Sequence, residues 1–191
     1  MYNYASGTNK WDVRNIYKER KGPHLDKIRV LEYDKIRVCY KENRMIRVMK
    51  IADYDEVRSL WMKIRGFGIR SIDDSREEVA RFLRRNPTTS VVAEEDGRIV
   101  GAILCGHDGR QGTFYHVCVE EQYRMRGIGK AMVLACMEAL RAEKINKVTL
   151  IAFSKNDIGN AFWKKIGWTR REDLNYYEFI LNEENITAFI Q

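Results

Sequence analysis

The sequence predicts a mixed α/β (α+β) domain, with a central mixed sheet flanked by about four helices and an antiparallel meander whose last strand leads into a helix. Two turns, Asp96-Gly97 and Asp108-Gly109, separate three apolar runs between residues 90 and 119, a pattern typical of consecutive hairpins. Beyond residue 119, helical and strand-like periodicities alternate. Hydrophobic residues make up 45% of the 191 residues, which is enough for a core and excludes a wholly disordered chain.

The first elements of this domain follow Met45. The run Ile46–Ile51 is rich in alternating apolar residues and predicts a first strand. Asp53, followed three residues later by Glu56, has the pattern of a capping box and predicts the start of a first helix. Apolar residues at helical spacing continue this helix to Gly66.

The remaining elements are predicted from the same periodicities. A second helix ends at Asn86-Pro87, because proline cannot continue a helix. The long helix after the meander carries Ile128, Met132, Cys136 and Leu140 on one stripe, which we expect to face the core. Besides the meander, the predicted elements are helices at Asp74–Arg85, 128–141 and Asn156–Ile166, a strand at Lys147–Ala152, and closing strands at Arg170–Asp173 and Tyr176–Leu181.

The net charge of +7 is concentrated near the N-terminus, since residues 1–44 carry 11 of the 34 Lys and Arg residues and 6 of the 27 Asp and Glu residues. We therefore divide the chain into a basic N-terminal extension, residues 1–44, and a domain over residues 45–191 that is close to neutral. A basic leader is compatible with nucleic-acid binding. Because its basic residues are interleaved with acidic ones, the sequence argues against that partner.

The extension contains a short repeat, Asp26–Val30 and Asp34–Val38, which permits two strands but is too short for a solenoid. We expect the extension to be dispensable and Met45 to be the native start. A chain that begins at Met45 should then fold and keep the ligand binding of the full chain. The alternative is that its apolar residues form strands that pack on the domain: Ile28, Val30, Ile36 and Val38.

Several classes of protein are excluded by pattern. No apolar run approaches the roughly 18 residues of a membrane-spanning helix, and the first residues lack the pattern of a signal peptide. The four cysteines and three histidines show no metal-ligand spacing. These observations predict a metal-free cytoplasmic protein that does not bind a membrane, and they leave open whether it is a monomer or a homodimer.

The segment Arg124-x-x-Gly127-x-Gly129 lies between the third meander strand and the long helix. Glycine allows the backbone to approach a ligand closely, and the free N–H groups and dipole of a helix start attract negative charge. Arg126 and Lys130 add positive charge to the same corner. The segment therefore predicts a pyrophosphate-binding corner, although a tight turn without a ligand would use the same residues.

Two motifs in this order make the sequence similar to the GNAT superfamily of acetyl-CoA-dependent N-acyltransferases. Residues 117–130 resemble its R/Q-x-x-G-x-G/A motif, and residues 156–168 resemble its N-x-x-x-x-A-x-Y-x-K-x-G-F motif. Gly106–Gly112 further resembles a bacterial subgroup with G-x-D-G-x-x-G between the second and third meander strands. The resemblance covers Met45 to about Leu181. It implies the GNAT fold, acetyl-CoA as co-substrate, and direct acetyl transfer to a primary amine of a small molecule or a protein in a ternary complex.

The resemblance also implies roles for individual residues. The backbones of Val117 and Val119 should pair with the pantetheine arm, and an amide near Cys118 or Val119 should polarise the thioester carbonyl. Asn156 matches the family asparagine on the pantetheine side. The binding residues implied in this way are Val117, Cys118, Val119, Arg124, Met125, Arg126, Gly127, Ile128, Gly129, Lys130, Asn156, Asn160 and Trp163.

The catalytic positions depart from the family pattern. Trp163 stands where the family usually has a tyrosine acid, and an indole N–H does not protonate a thiolate. Thr113 and Ile151 stand where family members often carry a carboxylate base. Cys118 has no basic partner in sequence and is more typical of packing than of a covalent intermediate. The remaining candidates, each also explicable as a structural residue, are His116, Glu120, Tyr115, Tyr176 and Tyr177.

These departures keep a second function open. A module that binds acyl-CoA with little or no turnover would have the same corner and the same strand–helix unit, without needing an acid or a base. Transfer by orientation and carbonyl polarisation, with water as proton carrier, is the corresponding enzymatic alternative.

Overall fold

The computed structural model describes residues 38–41 and 44–190. Its strands are β1 (Val38–Lys41), β2 (Arg44–Val48), β3 (Gly68–Arg70), β4 (Val91–Glu95), β5 (Arg98–His107), β6 (Gly112–Val119), β7 (Val148–Leu150) and β8 (Thr187–Phe189). Six of them form one sheet in the order β1-β2-β4-β5-β6-β7. Neighbouring strands of this sheet are antiparallel except for β6 and β7, which are parallel. The predicted mixed sheet is confirmed.

Helices cover both faces of this sheet. They are α1 (Tyr54–Trp61), α2 (Arg76–Arg85), α3 (Ile128–Ala142) and α4 (Asp157–Lys165). The core on one face is formed with α3 and α4, and the core on the other face with α1 and α2. Side chains alternate along β4, so that Val91 and Ala93 enter the first core and Val92 the second. The stripe predicted on α3 is confirmed, since all four of its residues are buried.

Both Asp-Gly turns lie where the sequence predicts hairpins. Asp96 and Gly97 have φ values of 52° and 74°, and positive φ at both central residues is what a tight two-residue hairpin requires. In the second turn, the Asp108 carboxylate accepts hydrogen bonds from the backbone of Arg110 and Gln111, and Gly109 has φ 91°. Asp108 thus stabilises the turn locally, and hydrogen bonds from the Gln111 amide and then the Arg110 amide hold the pKa of its carboxyl below the ordinary value.

The predicted capping box is wrong. Asp53 makes no side-chain cap on α1; its carboxylate instead pairs with Arg47 at 2.8 Å and accepts from the Lys50 amide. Glu56 accepts a hydrogen bond from the Ile99 amide at 2.7 Å and so fixes α1 to β5. Asp53 therefore pairs with residues before it, and Glu56 with a distant strand, instead of the two residues capping α1 together.

The two predicted closing strands are also wrong. Residues 170–183 form no strand, and large apolar side chains in this segment are exposed, including Tyr177 at 86% and Leu181 at 95%. The chain instead continues to β8, which pairs with β3 in a separate two-stranded sheet. Because β8 pairs with β3, residues 170–183 connect α4 to this second sheet and do not extend the main sheet.

Most of the extension, with its repeat, lies outside the described residues. Four of its residues form β1, which pairs with β2. Among the helices that the structure describes, none combines the length and the apolar character needed to cross a bilayer.

Candidate active site

Strand β6 separates from β7 part of the way along its length. The parallel pairing joins Gly112–Phe114 to Val148–Leu150 and stops there, whereas β6 continues to Val119. The Glu120 amide donates to Val100 on β5 at 2.8 Å. Because peptide groups alternate in direction along a strand, those of Val117 and Val119 point away from β5, toward the side where β7 has diverged. We call this opening the β6–β7 wedge.

A β-bulge lies inside the wedge, at His116. Leu104 pairs with Tyr115 and Ala102 with Cys118, so β6 has one more residue than β5 between these pairs. His116 adopts φ 47°, a left-handed conformation that is uncommon outside glycine. The extra residue reverses the faces of the strand: Phe114 packs in the α3 core, whereas Cys118 packs in the core under α1 and α2.

The bulge turns the His116 side chain toward α1 and α2. Its Nε2 lies 2.6 Å from Oδ1 of Asp74, and Asp74 is only 4% exposed. The rings of Trp61 and Phe67 lie 4.7 and 5.1 Å from the imidazole, centroid to centroid. Sequence reasoning named His116 as a weak candidate and missed Asp74 altogether.

The segment that the sequence predicts to bind an anion lies at the start of α3. Gly127 is the N-cap residue with φ 83°, and Met125 also has a positive φ, 61°. Successive peptide groups in such conformations turn their N–H groups to one side and form a concave anion site. The first turn of α3 begins at Ile128, and the N–H groups of a first helical turn are not used in the helix's own hydrogen-bond ladder. A backbone of this shape is suited to binding an anion.

Side chains around this corner support its shape. Arg124 Nε donates to the Val119 carbonyl at 3.1 Å, which connects the loop to the end of β6. Arg126 lies over the Tyr123 ring at 5.1 Å and donates to the Gln122 carbonyl. A Cβ added at Gly129 would lie 3.3 Å from the Phe162 ring, so α3 and α4 are in close contact here.

The residues predicted on α4 serve local structure in this conformation. Asn156 caps the helix by accepting from the Gly159 amide, and the Asn160 amide donates to the carbonyls of Phe153 and Ser154. Trp163 is half-buried, 4.8 Å from the Trp168 ring and 6.3 Å from the Phe114 ring. Its indole packs in an aromatic cluster.

Replacing Trp163 by Phe is expected to change kcat by no more than about threefold, because packing is retained and the indole is not an acid. Trp163→Tyr is expected to raise kcat, since a phenol can donate a proton. Steady-state kinetics of both variants check this. Loss of most activity in Trp163→Phe, with the fold and acetyl-CoA affinity intact, would show that the indole has a chemical role.

Glu120 is paired at the end of β6. Its carboxylate oxygens lie 3.6 Å from Lys63 Nζ and 3.6 Å from Arg98 Nη2. It lines a cleft of about 420 Å³ with Lys63, Ile64, Glu121 and Gln122. Both carboxylate oxygens are thus engaged by cations, which makes Glu120 a weaker candidate for contact with an acceptor amine than His116.

The Cys118 thiol is protonated at neutral pH. Burial raises its pKa to about 12, outweighing the opposing effects of a backbone hydrogen bond at Ala102 and the charge of Arg124. Because the nucleophile is the thiolate, Cys118 is unsuited to form a covalent acyl-enzyme.

Cys118→Ala is accordingly expected to retain at least about half of the wild-type kcat/KM, with a small stability loss for the missing sulfur. Kinetics at pH 7 to 9 and mass spectrometry of the acetyl-CoA-treated protein check this. A loss of activity beyond tenfold at unchanged affinity, or an acetyl adduct on Cys118, would contradict it.

Comparison with known proteins agrees with this geometry. Residues 54–168 match the Acetyltransferase (GNAT) family. An acetyltransferase of Sodalis glossinidius is 30% identical over 129 residues, which cover 68% of this chain and 89% of that protein.

Solved structures share the fold. The PaiA N-acetyltransferase of Thermoplasma acidophilum in complex with coenzyme A gives a TM-score of 0.59 at 15% identity, covering 75% of this chain and 96% of the other. AAC(6')-Iy in complex with the bisubstrate analogue CoA-S-monomethyl-acetylneamine gives 0.56 at 16% identity, covering 73% and 99%. Sheet, wedge, family match and relative agree: this chain belongs to the GNAT family of acetyltransferases and is an acetyl-CoA-dependent acyltransferase.

Proposed function

We propose that the chain transfers an acetyl group from acetyl-CoA to a primary amine by direct attack, with both substrates bound together. The observation that carries this proposal is the β6–β7 wedge, which presents the peptide groups of Val117 and Val119 beside the start of α3. An extended arm with amide groups can pair with such an edge as an added strand does.

The chain's own groups fit acetyl-CoA at both ends of this wedge. The N–H groups of residues 125–129 would hold the pyrophosphate, helped by the charges of Arg124 and Arg126. The Arg124 N–H is not one of these donors, because it donates to the Glu121 carbonyl at 3.1 Å. An amide at Cys118 or Val119 would polarise the thioester carbonyl. Acetyl-CoA supplies an activated acyl group, and the protein supplies position, donors and a proton acceptor.

Direct transfer is favoured over a covalent route. The Cys118 thiol lies on β6, but its raised pKa leaves almost no thiolate at neutral pH. Holding amine and thioester together can itself lower the barrier by several kcal/mol. AAC(6')-Iy, a protein of similar fold, forms a complex with a bisubstrate analogue that contains CoA, which supports binding of both substrates together.

An acyl-CoA-binding module is the second candidate, and one observation favours it: Trp163 packs in an aromatic cluster at the position of the usual acid. The two functions share the corner and the wedge. They differ in whether free CoA appears when an amine is added.

The test combines calorimetry with turnover. Full-length protein is titrated with acetyl-CoA, and then incubated with acetyl-CoA and a panel containing an aminoglycoside, an amino sugar, a polyamine and a peptide with a free N-terminus. Release of CoA thiol that requires both protein and amine supports the acetyltransferase. Binding without amine-dependent thiol release across the panel would favour the binding module, and absence of binding would reject both.

A further inference from the structure

We infer that Asp74 and His116 form a proton-accepting pair: His116 is the catalytic base that takes the proton of the acceptor amine, and Asp74 is its positioning residue. This inference rests on the proposed function and specifies the residue that the family pattern leaves unassigned. It is carried by the bulge, the hydrogen bond to a buried carboxylate and the surroundings of the imidazole.

The bulge places His116 at the wedge at a conformational cost. A left-handed backbone at a residue other than glycine costs on the order of 1–3 kcal/mol, and such strain is concentrated at functional sites. In a regular strand, the side chains of Phe114, His116 and Cys118 would all lie on one face. In the bulged strand, Phe114 and Cys118 lie in opposite cores. The strained backbone conformation therefore directs the His116 imidazole toward α1 and α2.

The hydrogen bond to Asp74 selects the tautomer. An ionised carboxylate only accepts hydrogen bonds, so the nitrogen 2.6 Å away, Nε2, carries the proton. In the neutral ring, Nδ1 then has a free lone pair, which is the atom that can take a proton from an amine. The imidazole side chain is 17% exposed, so it is not sealed in the core.

Asp74 is itself held in place. Its Oδ2 accepts from the Arg70 amide at 2.7 Å, and its carbonyl accepts from the Tyr54 hydroxyl at 2.8 Å. The loop before Asp74 is hydrogen-bonded to a distant segment, since Asn185 Oδ1 accepts hydrogen bonds from the backbone amides of Ile72 and Asp73. A buried carboxylate with this many fixed partners can orient the ring that it contacts.

Few other charges face His116 among the described residues. Trp61 and Phe67 cover the ring from α1 and the segment that follows it. Tyr115 precedes His116 on β6, and Tyr54 contacts Asp74 rather than the imidazole. On the nearby elements Lys63 is paired with Glu120. Besides Asp74 and the imidazole, the ionisable groups near the pair are therefore Tyr54, Tyr115 and the Lys63–Glu120 ion pair.

The step balances as a simple acyl transfer. The lone pair of the neutral amine forms a C–N bond to the acyl carbon, and the C–S bond of the thioester breaks. His116 Nδ1 takes the proton lost by nitrogen, and the released sulfur receives a proton directly from the imidazolium or through water. No oxidant, metal or further reactant is needed.

The principal variants are His116→Asn and Asp74→Asn. Asparagine tolerates positive φ better than other residues with a side chain of this size, so it should keep the bulge. In Asp74→Asn the amide would donate to Nε2, which moves the ring proton to Nδ1. His107→Asn is the matched control, because His107 lies in the second hairpin and accepts from the Gly109 amide.

We expect His116→Asn to lose roughly 10²–10⁴-fold in kcat/KM, the range of general base catalysis. Asp74→Asn should lose at least about tenfold because the wrong tautomer dominates. The wild-type rate profile should contain one ionisation that the His116→Asn profile lacks. His107→Asn should keep the wild-type profile, and all three variants should keep acetyl-CoA affinity by calorimetry.

A readout independent of turnover is ¹⁵N NMR of the histidine rings. The wild type should show His116 protonated at Nε2 and bare at Nδ1 near neutral pH, and Asp74→Asn should lose this preference. A merely structural hydrogen bond would show the same tautomer without the change in the rate profile, so the two readouts together separate the roles.

The outcomes are distinct. If His116→Asn retains more than about a third of kcat/KM with an unchanged pH profile, the pair is not the base, while the proposed acetyltransferase stands. A wild-type ring protonated at Nδ1 would equally overturn the pair. If the wild type binds acetyl-CoA but acetylates no amine, the proposed function fails and the pair fails with it.

Discussion

A chain carrying Gly127→Val and Gly129→Val is expected to bind acetyl-CoA at least about 100-fold more weakly than the wild type. Gly127 has φ 83°, which a β-branched residue adopts only with strain, so the N–H groups of the corner would turn away from the ligand. At Gly129 even a Cβ would lie 3.3 Å from the Phe162 ring, and a larger side chain would move α4 or cover the approach to the first turn of α3.

Calorimetry with acetyl-CoA measures this effect, and circular dichroism checks the fold. Gly97→Val is the matched control, because Gly97 has a comparable φ of 74° and open space around it but lies in the first hairpin. The control should lose stability and keep its affinity. Unchanged affinity in the double variant would place the pyrophosphate elsewhere.

Trp61→Ala is expected to lower the free energy of unfolding by about 3–5 kcal/mol, the usual cost of truncating a buried aromatic residue. Trp61 is fully buried between α1 and the sheet, in the same core as Cys118. It also contacts the His116 ring, so the variant should lose activity even where it remains folded.

Urea unfolding measures this loss, and Trp61→Phe is the informative companion. The Trp61 Nε1–H is buried without a hydrogen-bond partner among the described residues, so phenylalanine removes no hydrogen bond. We expect Trp61→Phe to cost about 1–2 kcal/mol and to keep most activity. Equal costs for Ala and Phe would contradict the packing role assigned to this ring.

The parts of the fold that were predicted from sequence have local causes. The Asp-Gly turns fix two hairpins through the φ values of two adjacent residues, and the α3 stripe follows from side-chain periodicity. Gly127 and Gly129, at the start of α3, similarly led to the prediction of an anion-binding corner, which stays a prediction. In each case the determining residues lie within a few positions of one another.

The parts that were not predicted depend on distant residues. Strands β3 and β8 have three residues each and pair across more than half of the chain, so neither has a periodicity of its own. Asp74 lies 42 residues before His116, and nothing in either local pattern indicates the contact. The bulge itself is one extra residue in β6, which only the pairing with β5 shows.

The hydrogen bonds between Asn185 and the loop before Asp74 affect the order in which parts of the chain fold. They join residues 113 and 112 positions apart, and contacts of such separation form late because a long loop must first close. The hairpins, by contrast, can form early from neighbouring residues. The anion-binding corner can therefore be complete while Asp74 is still unanchored, and a nascent chain should acquire ligand affinity before it acquires catalytic competence.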